Sequence, residues 1–356
     1  MKRKSYIFVI FVMLFSVSHS QDAKKLKDAF RSEAFQLYGY GQIIANASEF
    51  PARGMARTTS EFSFDVARAI LFAQGKLGDK QQFGYMLMYD FGPSSGLHEL
   101  YGEWLPNPAF NLRFGQWKIP FTIENPMSPT RVETIYFSRS VSAMSGSAGD
   151  FNQYGRGGAV SVKAGRDAGL QASGQLLKKS DFYQIEYYAG LFNGTGVNTK
   201  DNNSKKDFVA SLYYQPIKGL KLGGSVYSGT ITMVEEAAGL AAGDFSRNAY
   251  AISGVFDSKY VYARSEFMSG KTGSVSREGY YATAAWKLVP GKWEILGKFD
   301  FFDSDKAIAD NETLDITAGI NYYLAYLTRV QLNYIYTNDR ALGKNNALAA
   351  QLQLFF

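Results

Sequence analysis

Residues 346–356 read NALAAQLQLFF. Leu348, Ala350, Leu352, Leu354 and Phe356 fall on one face of a strand, and Ala349, Gln351, Gln353 and Phe355 on the other, because successive strand side chains point to opposite sides. In water, an apolar face running to a terminal aromatic on an unpaired edge is a template for aggregation. In a closed membrane barrel the same strand has lipid on one face, a wet lumen on the other and a partner at each edge. A chain of that kind needs many such strands.

They are present. Strand patterns cover 35–46, 60–74, 82–91, 97–105 and 110–118, and then 169–177, 182–192, 207–215 and 220–231. The series continues through 248–256, 260–268, 278–288, 292–302, 314–323 and 328–337 to the last strand. In 328–337, Val330, Leu332, Tyr334 and Tyr336 face one way, and Arg329, Gln331, Asn333 and Thr337 the other. In 60–74 the alternation slips near Arg68, which predicts a bulge. On the C-terminal side, tight connections alternate with longer polar ones, as periplasmic turns alternate with extracellular loops in outer-membrane barrels. Counts from the two ends agree when 157–164 belongs to a long loop, which gives sixteen strands, an even number. The predicted fold is all-β: a transmembrane antiparallel β-barrel of about 16 strands with a long loop folded inward. A soluble β-sandwich or β-helix fits less well, because one face of so many strands is almost wholly apolar.

Ahead of the strands, Lys2, Arg3 and Lys4 precede an apolar run over 6–15 and the small residues Ser18-His19-Ser20. This order predicts a signal peptide over 1–20. Residues 21–34 then form a charged periplasmic lead-in, and 35–356 the barrel domain. Without the signal the chain carries 35 Lys and Arg against 32 acidic residues, a net +3 that gives no case for nucleic acid. With no Cys and only His98 left outside the signal, a catalytic dyad or a His-rich metal site has almost nothing to be built from. His98 reads as a surface or lumen residue. The chain is expected to be no enzyme and to need no cofactor or metal.

The one segment long enough to enter the lumen is 119–165, and a loop of that length within a compact chain is usually functional. Strand parity turns Arg113, Lys221, Arg264, Lys298 and Arg329 inward, together with Glu186, Glu266, Glu294 and Asp300. The loop and its margins add Lys118, Arg131, Arg139, Arg156, Lys163 and Arg166 against Glu124, Glu133 and Asp150. The candidate constriction and solute-contacting set is therefore Arg113, Lys118, Arg131, Arg139, Arg156, Arg166, Lys298 and Arg329. Charges lining a constriction decide what passes, so these would make a weakly anion-selective eyelet. For any one arginine the alternative is pairing across the lumen that braces the loop.

The run Arg113-Phe114-Gly115-Gln116-Trp117-Lys118-Ile119-Pro120-Phe121, with Glu124 and then Tyr136-Phe137-Ser138-Arg139-Ser140, resembles phosphate-selective porins of the O and P type. Gly165-Arg166-Asp167-Ala168-Gly169-Leu170 is similar to that family's return from the loop, and Leu191-Phe192-Asn193-Gly194-Thr195-Gly196 to its F-N-G-x-G element. The resemblance implies a sixteen-stranded homotrimeric porin of the Gram-negative outer membrane, set among outer-membrane lipid and lipopolysaccharide. Phosphate selectivity in that family is attributed to a lysine cluster on the loop and a ladder of wall arginines. Here the loop carries only Lys163, and the wall arginines are interleaved with acids. The expectation is passive diffusion of small hydrophilic solutes with a mild anion preference. The alternatives are a channel specific for phosphate or sugar, and a plugged structural or adhesive barrel.

Overall fold

The computed structural model describes residues 31–48, 62–93, 95–145, 165–233 and 243–356. The expected signal peptide, most of the lead-in, Arg156, Lys163 and the distal part of the long loop lie outside the described residues. Sixteen strands form one sheet. They are β1 Phe35–Ser48, β2 Phe62–Leu77, β3 Phe83–Asp90, β4 Gly96–Asn107, β5 Phe110–Lys118 and β6 Arg166–Lys179. Next come β7 Phe182–Phe192, β8 Asp207–Ile217, β9 Leu220–Met233, β10 Gly243–Asp257 and β11 Val261–Thr272. The series ends with β12 Val275–Val289, β13 Trp293–Asp303, β14 Glu312–Ala325, β15 Thr328–Asp339 and β16 Gly343–Phe355. Each strand pairs antiparallel with its neighbours in sequence, and β16 returns to β1 (Leu352 opposite Ile43, Gln353 opposite Gln42) to close the ring. A two-residue strand, Arg31–Ser32, pairs with the start of β1.

The wall is apolar outside and polar inside. Phe64 and Phe114 are 73% and 72% exposed on the outer face, whereas Gln331, Asn333 and Gln353 on the inner face are 0% exposed. That inversion is what a lipid-facing barrel requires, since a closed ring can satisfy its strand backbone by ladder pairing rather than by water. Among the described residues no helix is long and apolar enough to cross a membrane.

The slip near Arg68 is a bulge at Ala67: Gln42 pairs with Arg68 and the next residue, Ile43, with Val66. Its effect is to turn Arg68 inward, where unbroken alternation from Phe62, Phe64 and Val66 would have turned it to lipid. At the loop end several strands run past their apolar stretch. β11 and β12 continue through Lys271, Thr272, Ser276 and Arg277 to a two-residue turn, so the longer connection expected there is itself strand. Polar residues above the lipid can keep pairing because the ladder depends on backbone, not on side-chain polarity.

A closed ring of this kind resists detergent and opens on boiling. Unheated detergent extract should therefore migrate on a gel as a compact or oligomeric species and shift to the unfolded mobility after heating. A freely soluble species with unchanged mobility would contradict the barrel.

Candidate functional site

The segment after β5 leaves the wall at Lys118 and enters the lumen. Its two ends are pinned together: Gly165 O accepts from Ile119 N (2.8 Å) and from Asn125 Nδ2 (3.1 Å). Gly165 has φ +77°, and a Cβ there would run into the Asn125 amide. Glycine is thus required at the return point both for its backbone and for its lack of a side chain.

Having no ladder of its own, the loop takes its backbone partners from inward side chains, as buried amides and carbonyls must. Glu266 on β11 accepts from Ile123 N (2.7 Å) and Glu124 N (3.0 Å), while Ser253 and Tyr281 donate to the same carboxylate. Loop carbonyls are met in turn by Gln353 at Thr130 (3.2 Å), Arg329 at Val132 (2.7 Å), and Gln331 and Asn321 at Glu133 (both 3.0 Å). Asn333 Oδ1 receives Ile135 N at 2.9 Å.

Charge pairs lock this arrangement. Arg264 of β11, wholly buried, lies 2.9 Å from Glu124 and 3.0 Å from Glu133, and also donates to the hydroxyls of Tyr262 and Tyr281. The other Glu124 oxygen accepts from Ser138 N (2.8 Å), which ties the descending limb of the loop to the ascending one. Next, Arg139 begins the short helix α1, Arg139–Met144; its amide donates to Asp300 (2.7 Å) and its guanidinium grips Asp315 (3.0 Å). Above these pairs an apolar cluster fills the loop end of the lumen. Ile119, Phe121, Val141 and Met144 of the loop pack with Trp117, Phe192, Tyr227, Met268, Tyr281 and Phe302 of the wall. Each such buried side chain contributes about 1.5–3 kcal/mol.

The loop thus takes most of its polar partners from β8–β16, and at the loop end it also meets β1 (Tyr136 Oη to Asn46, 2.9 Å; Ile135 against Ile44), β5 (Trp117) and β7 (Phe192). Elsewhere on β1–β7, inward residues such as Gln36, Phe72, Met86, Tyr101, Gln175 and Tyr188 stay partly exposed.

Most members of the candidate set have partners. Arg113 is paired with Glu103 (2.6 Å) and lies over the Tyr101 ring; Arg166 is paired with Glu99 (3.1 Å). Lys118 Nζ donates to the carbonyls of Asn125 and Met127 (2.7 and 2.6 Å). Lys298 sits 3.8 Å from Asp300 and 4.0 Å from Glu124. Arg139, Lys298 and Arg329 contact the loop or belong to it. Arg131 differs: it is exposed at the lowest point of the loop, and its guanidinium donates to Tyr326 Oη (2.8 Å). Sequence reasoning missed Arg68, hidden by the bulge, which donates to Gln42 (2.7 Å). It also missed the apolar cluster, although inward Phe192, Val209, Tyr227, Met268, Tyr281 and Phe302 on nearby strands were a readable signal. His98 is neither a surface nor a lumen residue. A bulge between β3 and β4 buries it 3.7 Å from Asp90, whose other oxygen holds the amides of Ala69 and Gly92. Among the described residues no cluster of His, Asp or Glu is arranged to hold a metal.

A family model described as phosphate-selective porin O and P matches residues 39–240 and 224–356. No curated protein matches the chain. Among solved structures, an anion-selective porin from Comamonas acidovorans is similar with TM-score 0.67 and 13% identity, over 91% of this chain and 99% of that one. The trimer form of OmpT, an outer membrane protein of Vibrio cholerae, is similar with TM-score 0.60 and 10% identity, over 90% and 100%. Salmonella typhi OmpF in complex with daunomycin also gives 0.60, with 12% identity over 90% and 97%. At these identities the likeness is one of fold.

Removing one partner of a buried ion pair costs about 3–5 kcal/mol. Arg264→Ala should therefore free the loop while the barrel persists, seen as new protease cleavage within 119–145 with the heat-dependent gel shift retained. An uncleaved loop in that variant would contradict the clamp.

Proposed function

The chain belongs to the phosphate-selective porin O and P family, and on that premise we propose that it is a passive diffusion channel of the bacterial outer membrane, passing small hydrophilic solutes through the part of the lumen its loop leaves uncovered. The observation that carries this reading is the lopsided loop. Its described segment takes most of its polar partners from β8–β16, and inward side chains of β1–β7 such as Gln36, Phe72, Met86, Tyr101, Gln175 and Tyr188 keep partial access to water. A plug would have to cover these side chains as well. Sieving by the loop and the local potential does the work, and no chemistry is done on the solute.

Family and fold are those of channels rather than enzymes. A mild anion preference is supported by Arg131, an exposed guanidinium at the constriction, and by the small net positive charge. A dedicated phosphate site has less support. Within 119–165 the lysine is Lys163, and Lys118, next to the loop, has its ammonium capped by two carbonyls. The trimer form recorded for the Vibrio cholerae protein supports a homotrimer here. We place that trimer in the outer membrane of a Gram-negative cell, among lipid and lipopolysaccharide.

Single-channel recording in a planar bilayer tests the reading. Stable conductance, a reversal potential on the anion side under a KCl gradient, and no saturable block by phosphate are expected. Absence of conductance would overturn the channel, and saturable phosphate block would replace general diffusion with a specific channel.

A further inference from the structure

Just below the loop's lowest point the inner wall becomes aromatic. β1, β2 and β16 turn Tyr38, Phe72 and Phe355 into the lumen. The Tyr38 and Phe72 rings lie 5.4 Å apart with 27° between their planes, and Phe355 is 6.1 Å from Tyr38 and 6.5 Å from Phe72. Tyr326, in the turn between β14 and β15, meets Phe355 edge-on at 5.9 Å. These rings are not girdle residues, because a girdle faces lipid. They are only partly buried, so the wall presents ring surface to an aqueous passage.

The polar groups around this surface are of two kinds. Two residues nearer the turn end on the same strand faces, Gln74 donates to Gln36 (3.2 Å), and both amides border a recess of about 330 Å³ that Tyr101 and Glu103 also line. The Glu103 charge is met by Arg113. On the loop side, Arg131 reaches Tyr326, and among the described residues no carboxylate is in ion-pair contact with it. The site therefore combines a partly exposed ring surface, a pair of amides and one exposed guanidinium with no carboxylate partner among the described residues. A hydrophobic solute would waste the amides and the charge. Inorganic phosphate would use the charge alone, and a neutral sugar the rings and amides alone.

We propose that this region is a solute subsite for anionic monosaccharides: the C–H face of a pyranose lies on the Tyr38–Phe72–Phe355 surface and its carboxylate pairs with Arg131. Ring faces carry negative quadrupole density that attracts C–H edges, and a guanidinium fork fits a carboxylate in two parallel hydrogen bonds. The subsite rests on the channel reading above and adds the substrate class to it.

The test is block of single-channel current by glucuronate, with glucose and inorganic phosphate as the two half-matched probes. In the wild-type protein glucuronate should interrupt the current saturably, at a half-blocking concentration roughly tenfold below either control, a gap of about 1.4 kcal/mol. Arg131→Gln should bring glucuronate to the level of glucose, and Arg131→Lys should restore part of the difference. Phe72→Leu should weaken glucuronate and glucose block alike. The heat-dependent gel shift confirms that each variant has folded. Equal block by glucuronate and glucose in the wild type, or variants that block like the wild type, would overturn the subsite with the conducting channel intact. Loss of all current in the wild type would overturn the channel and the subsite together.

Discussion

The pairing of β16 with β1 is the constraint on which the rest of the molecule depends. Once that ring closes, ladder pairing can satisfy the strand backbone along the wall, and lipid can cover the outer face. Inward side chains are then released from any duty to the strands. In this chain many of them serve the loop: Glu266 takes loop amides, Gln331 and Asn321 take a loop carbonyl, and Arg264 gathers two loop carboxylates.

That division of labour governs the electrostatics of the passage. Counted by sequence, the lumen holds many cations. Counted by geometry, Arg139, Arg264, Lys298 and Arg329 are engaged with the loop or its partners, and Arg113, Arg166 and Lys221 with wall carboxylates. A buried ion pair is costly to form and costly to break, so these groups are poor candidates to exchange partners with a passing solute. Among the described residues of the passage, Arg131 is a cation left exposed.

Strand parity made much of this legible. The inward orientation of Arg113, Lys221, Arg264, Lys298 and Arg329 follows from alternation alone, and the slip near Arg68 marked a bulge that the register places at Ala67. The partners were not legible. Glu124 and Arg264 are 140 residues apart, and no local pattern records that a loop after β5 will reach β11. Arg68 and His98 were misjudged for one physical reason: each lies at or beside a bulge, where the count of two fails. The apolar cluster under α1 was visible as inward aromatics on consecutive strands, but a lumen was expected to be wet throughout.

The central claim is that the described loop covers the β8–β16 wall and leaves part of the β1–β7 wall open. Because the chain has no cysteine, single cysteines placed on the two walls report this directly through reaction with a charged aqueous thiol reagent during single-channel recording. Ser173→Cys, on the open β6 wall, should react quickly and step the current down, whereas Thr317→Cys, buried beneath the loop on β14, should react many times more slowly. Equal rates at the two positions would contradict the account.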